Sequence, residues 1–246
     1  MLSAADNELL TRTNPGTPMG EYLRRFWQPV ALAEELPHPD CDPVRVAIMG
    51  EDLLAFRDST GQVGLVSPRC PHRGADLYYG RNEDAGLRCA YHGWKFDVHG
   101  KCLETPTIDS DAGYRERVCL TSYPTREWGD FIWAWLGPKG AEPSLPKLEF
   151  ALFGAEHRVV QKKLQQCNWA QAVEGGLDTA HFSFLHMPLA RSEEEFSERA
   201  LRAVRGYDAQ TMSHEHVRWM REDPRPIYQV RRHAAGLVLG ASRQAD

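Results

Sequence analysis

SPRCPHRGADLYYG (residues 67–80), followed six residues later by LRCAYHGWKFD (residues 87–97), sets Cys70 and His72 two apart and then Cys89 and His92 three apart. Both pairs lie among residues that bend the chain: Pro68, Pro71 and Gly74 around the first, Gly86 and Gly93 around the second. Two such loops at the tip of a β domain can pinch a metal centre between them. Neither half would mean much alone.

A Cys2His2 zinc site is the first alternative, since such sites are tetrahedral and structural. Zinc fingers, however, pair Cys with Cys and His with His along the chain, whereas here each loop supplies one thiolate and one imidazole. That mixture suits a [2Fe-2S] cluster with two chemically different irons, one held by Cys70 and Cys89 and the other by His72 and His92. The plainest alternative is four unrelated side chains in surface loops. With 6 Cys and 10 His in 246 residues the pattern is rare by composition alone, and the accompanying Gly and Trp residues make it rarer.

The rest of the composition is that of a globular protein: 42% hydrophobic and 26% charged residues, with a net charge of -5. No basic cluster points to nucleic acid. No apolar run approaches the ~20 residues that span a bilayer. The first sixteen residues lack the basic and apolar regions of a signal peptide, so a reducing, cytoplasmic location is expected, in which cysteines serve as thiols or metal ligands. Cys41, Cys102, Cys119 and Cys167 have no ligand spacing to one another and are read as core or surface thiols. His38 and His99 lie in turn sequence and are read as solvated.

Along the chain, Ser3 is placed to cap a short helix through residue 13, and residues 20–36 form a lead-in with Phe26, Trp27 and Val30 as buried anchors. Residues 44–136 are short alternating runs broken by Gly, Asp and Pro, the rhythm of a small antiparallel β domain. GPKGAEPSLP (residues 137–146) is a Gly/Pro-rich break. Beyond it HRVVQKKLQQ (157–166) predicts a strand and NWAQAVEGGLDTAHFSFLHM (168–187) a helix. RSEEEFSERALRAVRG (191–206) is a charge-rich surface helix or loop, and the tail predicts two strands around residues 234–236. The expected organisation is an N-terminal segment (1–43), a β domain (44–137) and a third region (147–246), together α+β.

The helical stretch carries D-x2-H-x4-H: Asp178, His181 and His186. Asp178 can orient the His181 imidazole across an i, i+3 spacing. His181 and His186 stand about 140° apart on a regular helix. They converge on one metal only if the helix widens or ends there, and Gly175, Gly176 and Pro188 all favour that.

CPHRG and CAYHGW resemble the two cluster loops of Rieske iron-sulfur proteins over residues 44–136. The extra cysteines that brace respiratory Rieske loops by a disulfide are replaced here by Ala75 and Tyr91, and a loop Ser that raises the cluster potential is Trp94. The resemblance is therefore to the low-potential oxygenase or ferredoxin branch. With PGTPMGEYLRRFWQPV (15–30) and EGGLDTAHFSFLH (174–186) added, the chain resembles the α-subunit type of Rieske non-haem iron oxygenase, in the phthalate-dioxygenase and vanillate-demethylase-like group. That resemblance implies a Rieske domain followed by the first part of a helix-grip (START-like) catalytic domain. It implies that His181 and His186 bind a mononuclear Fe(II). Asp178 would carry electrons to it from a cluster histidine of a neighbouring subunit. It further implies an NAD(P)H-dependent reductase or ferredoxin as donor, dioxygen, a small aromatic substrate to be hydroxylated or O-demethylated, and a homotrimer or hexamer when full-length.

The family's third iron ligand is a carboxylate far downstream of the histidines. Asp208, Asp223 and Asp246, with Glu222, are the acidic candidates that remain, and Asp208 and Asp223 sit in turn-like sequence, so no third ligand is assigned. A truncated chain is the expected explanation, with an electron-transfer protein or non-catalytic remnant as the alternative function.

Overall fold

Three tight hairpins organise the β region, and all three use the same backbone device. Met49-Gly50, Asp84-Ala85 and Gly129-Asp130 each place two consecutive residues at positive φ, between 47° and 76°, the signature of two-residue type I′ turns, whose twist matches that of the strands they join. In a computed structural model describing residues 2–108, 113–187, 189–206, 214–234 and 236–244, the chain divides into two units, Met1–Leu164 and Gln165–Asp246.

The strands of the first unit are β1 (Trp27–Leu32), β2 (Val44–Ile48), β3 (Glu51–Arg57), β4 (Val63–Val66), β5 (Arg81–Glu83), β6 (Gly86–Arg88), β7 (Lys95–Phe96), β8 (Cys102–Glu104), β9 (Ser122–Tyr123), β10 (Thr125–Trp128) and β11 (Phe131–Trp135). They form three sheets in the orders β1-β11-β10, β2-β3-β4-β9 and β5-β6-β7-β8. Every pairing is antiparallel. Two helices precede them. Ala4–Thr11 is capped by Ser3, whose hydroxyl accepts from Asp6 N at 3.1 Å, and Pro18–Leu23 by Thr17 with Pro18 in the first turn.

Strand β3 explains where the core sits. Its side chains alternate, and because both faces are covered the whole run Leu53–Phe56 is buried. Leu54 and Phe56 enter one apolar cluster, with Val66, Leu77, Leu87, Trp94, Phe96, Cys70 and Cys89. Leu53 and Ala55 enter another, with Val30, Leu36, Leu65, Ile132 and Leu136. The two cysteines of the opening motif therefore belong to the hydrophobic core, and the loops that carry them are anchored by it.

In the second unit helices Trp169–Leu177, Glu193–Gly206 and His214–Glu222 precede a hairpin of Ile227–His233 and Gly236–Ser242. The charge-rich segment is thus helical, and the two tail strands form as expected. Both strands are exposed on nearly every residue, and among the described residues no third strand joins them. Among the described residues no helix is long and apolar enough to cross a membrane.

Three expectations are corrected. Phe26 is not a buried anchor: it is 48% exposed, one residue before β1 begins, with its ring edge-on to Tyr22. Residues 157–166 are not a strand: among the described residues no strand pairs with them. Residues 168–187 are not one helix: the helix ends at Leu177 and a 3-10 turn, Ala180–Ser183, follows. The Asp178 carboxylate accepts from Ala180 N and His181 N, competing locally with helical bonding. Pro188, Ala235, Asp208 and Asp246 lie outside the described residues.

The division between packed core and open hairpin has a measurable consequence. Ile132→Ala should cost about 3 kcal/mol of stability, whereas Leu237→Ala on the exposed hairpin should cost within about 0.5 kcal/mol. Urea unfolding followed by tryptophan fluorescence checks the contrast; equal losses would contradict it.

Candidate metal centres

The two loops close by the same backbone pattern. Gly74 N donates to Cys70 O at 2.8 Å and Cys70 N donates to Ala75 O at 2.8 Å. In the second loop Gly93 N donates to Cys89 O at 3.0 Å and Cys89 N donates to Trp94 O at 2.8 Å. Gly74 and Gly93 both take positive φ, 70° and 73°, a left-handed conformation that disfavours a side chain. The sequence signal was the repeated C-x3-G of CPHRG and CAYHG, whose glycines reading by eye treats only as bends. The histidines break the symmetry, lying two residues after one cysteine and three after the other.

Like side chains meet across the loops. Cys70 and Cys89 are 2% and 3% exposed, and their thiols lie within hydrogen-bonding reach of each other. Burial pushes the Cys70 thiol up to about 11, although the backbone N–H groups of His72 and Arg73 point at its sulfur and favour a thiolate. The His72 and His92 rings lie 4.5 Å apart, edge to face. Trp94 is stacked on His72 at 4.6 Å with the planes 2° from parallel, and Tyr91 packs on His92 at 3.8 Å. Burial lowers the His72 pKa, and His92 and Arg73 add to the effect, which favours the neutral ring. Its Nδ1 is buried and has no hydrogen-bond partner, a cost that a bound metal would remove.

This donor set fits a binuclear cluster. Among the described residues no three His, Cys, Asp or Glu side chains converge on one point. Donors sorted into a thiol pair and an imidazole pair suit two irons held apart by bridging sulfides.

In the second unit Asp178 meets His181, and His181 meets His186. Asp178 Oδ2 lies 2.8 Å from His181 Nδ1, and its Oδ1 accepts from Ala180 N at 2.8 Å. The Ala180 N–H first, then the His181 ring, hold the Asp178 carboxyl below its usual range. Because the helix ends at Leu177, the His181 and His186 rings approach to 5.0 Å between centroids, without the π-type turn that a continuous helix would require. Sequence reasoning missed Arg243, whose guanidinium donates to Ser183 Oγ at 3.0 Å, to Thr179 O at 2.5 Å and to Asp223 O. It braces the turn from sixty residues downstream, where no local spacing could signal it. Among the described residues no carboxylate joins the two histidines as a third donor. Asp223 accepts from Arg225 N and Gln244 N, as a turn residue does.

Comparison with known proteins adds an independent line. The family described as "Rieske [2Fe-2S] domain" matches residues 26–124, and "LigXa C-terminal domain like" matches residues 134–243. The chain is 46% identical over 186 residues to the phthalate 4,5-dioxygenase oxygenase subunit of Pseudomonas putida, covering 76% of this chain and 42% of that protein. To the 5,5'-dehydrodivanillate O-demethylase oxygenase subunit of Sphingobium sp. it is 42% identical over 189 residues, 76% and 44% of the two chains. It thus spans less than half the length of these curated relatives. A crystal structure of dicamba monooxygenase bound to 3,6-dichlorosalicylic acid is similar with a TM-score of 0.59 at 27% identity, covering 72% of this chain and 51% of that one.

The loop glycines are not equivalent, and that can be measured. A Cβ at Gly74 meets nothing within 4 Å, whereas at Gly93 it would lie 2.9 Å from Pro106 Cγ. Gly74→Ala should therefore cost about 1–2 kcal/mol from backbone strain alone and still bind a cluster. Gly93→Ala adds a clash and should lose most of it. Visible absorption after reconstitution with iron and sulfide reads the difference; equal loading of the two variants would contradict this account.

Proposed function

We propose, for a chain that belongs to the Rieske-type non-haem iron oxygenase α-subunits, that it works as the electron-accepting and oxygen-activating component of such a system. The observation that carries the proposal is the pairing of like donors across two identically closed loops. In this reading Cys70 and Cys89 hold one iron of a [2Fe-2S] cluster and His72 and His92 the other, while His181 and His186 hold Fe(II). When bound, the cluster would supply electrons one at a time and the Fe(II) a site for dioxygen and substrate chemistry.

The chain's own residues prepare these sites. Backbone N–H groups aimed at the Cys70 sulfur favour the thiolate, and Trp94 fixes the plane of His72. Asp178 accepts the proton-bearing Nδ1 of His181, which leaves Nε2 for the metal. Its side chain is 48% exposed, and three hydrogen bonds leave the carboxylate room to accept one more donor. A cluster histidine from a second copy of the chain, in a trimer or hexamer, is the donor that fits the proposed electron path. The substrate is proposed to be a small aromatic compound, hydroxylated or O-demethylated with dioxygen, with an NAD(P)H-dependent reductase or a ferredoxin as the source of electrons.

Two measurements test the assignment. Cys70→Ser and His92→Ala should each abolish the visible absorption and the anisotropic electron paramagnetic resonance of the cluster, and a spectrum that survived either change would remove that residue from the ligand set. Asp178→Asn should leave both metals bound but slow single-turnover electron transfer to the mononuclear iron by about 10-fold or more. An unchanged rate would take Asp178 out of the path.

A further inference from the structure

Strand β6 ends one residue before Cys89, and its side chains alternate. Leu87 and Cys89 are in the core cluster, while Arg88 points to the other side of the sheet. There the guanidinium makes a three-way fork. Nε donates to Glu83 Oε1 at 2.5 Å, Nη1 to Gly93 O at 2.9 Å, and Nη2 pairs with Glu104 Oε2 at 2.9 Å. The other Glu104 oxygen pairs with Lys95, which is 5% exposed, and the second Glu83 oxygen lies 3.2 Å from Arg81 Nε. The Arg88 side chain itself is 15% exposed. Its hydrogen bond is the first cause holding the Glu83 carboxyl below its usual range; for Glu104 the Lys95 hydrogen bond comes first and Arg88 assists. Both carboxylates are thus ionised around it.

The carbonyl that Arg88 grips is the pivot of the second loop. Gly93 is the left-handed residue that closes the loop onto Cys89 O, and it lies between His92 and Trp94. Trp94 in turn returns its carbonyl to Cys89 N and its ring to His72. One hydrogen bond to the Gly93–Trp94 peptide therefore bears on both ligands of this loop and on one of the other. The first loop is held differently: Asp76, just beyond it, caps the Leu77–Tyr79 turn and pairs with Arg45 at 2.9 Å. A planar fork fixed by two carboxylates suits such pinning, because lysine offers only a point charge.

We propose that Arg88 is a positioning residue for the cluster: it pins the Gly93 carbonyl from outside the core, and its charge favours the reduced cluster. This rests on the cluster reading given above. Removing the guanidinium would leave the peptide unpinned and the neighbourhood one charge more negative, which disfavours adding an electron.

The test uses the chain reconstituted with iron and sulfide, comparing Arg88→Gln and Arg88→Lys with the wild type. Near-ultraviolet circular dichroism monitors the fold, loss of visible absorption to a chelator gives the cluster lifetime, and a redox titration gives the midpoint potential. Arg88→Gln should lose its cluster about tenfold faster and show a lower midpoint. Arg88→Lys should keep the wild-type midpoint while losing the cluster at an intermediate rate. If Arg88→Gln does not fold, Arg88→Lys alone decides: faster loss at an unchanged midpoint supports the proposal. A loss rate like that of the wild type in Arg88→Lys, or a wild-type midpoint in Arg88→Gln, overturns it. A wild-type chain that takes up no cluster overturns the cluster reading itself, a result separate from indifferent Arg88 variants in a chain that loads normally.

Discussion

Two thiols buried side by side are the constraint on which the first unit turns. Cys70 and Cys89 sit inside the apolar cluster built on β3, where a lone thiolate would be costly and two together more so. The fold nonetheless brings them together, orients backbone N–H groups at one sulfur, and sets two imidazoles beside them. Such an arrangement makes physical sense around a cationic centre that compensates the thiolates. The matched loop closures, the left-handed glycines and the Trp94 stack together set the places of these four side chains on the β scaffold.

The second unit shows how a side chain can decide where a helix stops. Asp178 follows the last helical residue, takes two backbone N–H groups for itself and still faces His181. Ending the helix there lets His186 swing back toward His181, which a continuous helix would prevent. One carboxylate thus shapes the backbone and orients a candidate ligand.

Much of this was legible in the sequence because it depends on short-range chemistry. The cysteine and histidine spacings, the Ser3 cap, the β rhythm of residues 44–136 and the tail hairpin all announce themselves within a few residues. What was not legible depends on partners far away in the chain. Residues 157–166 read like a strand, but a strand needs a partner to pair with, and no partner strand is present among the described residues. Phe26 reads as an anchor until the start of β1 decides which face it takes. Arg88 and Arg243 reveal their roles only once the register of β5 against β6 and the return of the tail are fixed.

Mössbauer spectroscopy of the chain reconstituted with isotopically enriched iron tests the central claim most directly. Two oxidised iron environments of equal area, one sulfur-rich and one bearing nitrogen ligands, are predicted for a cluster held by a thiol pair and an imidazole pair. A single environment for both irons, or a chain that takes up zinc in preference and stays colourless, would contradict it.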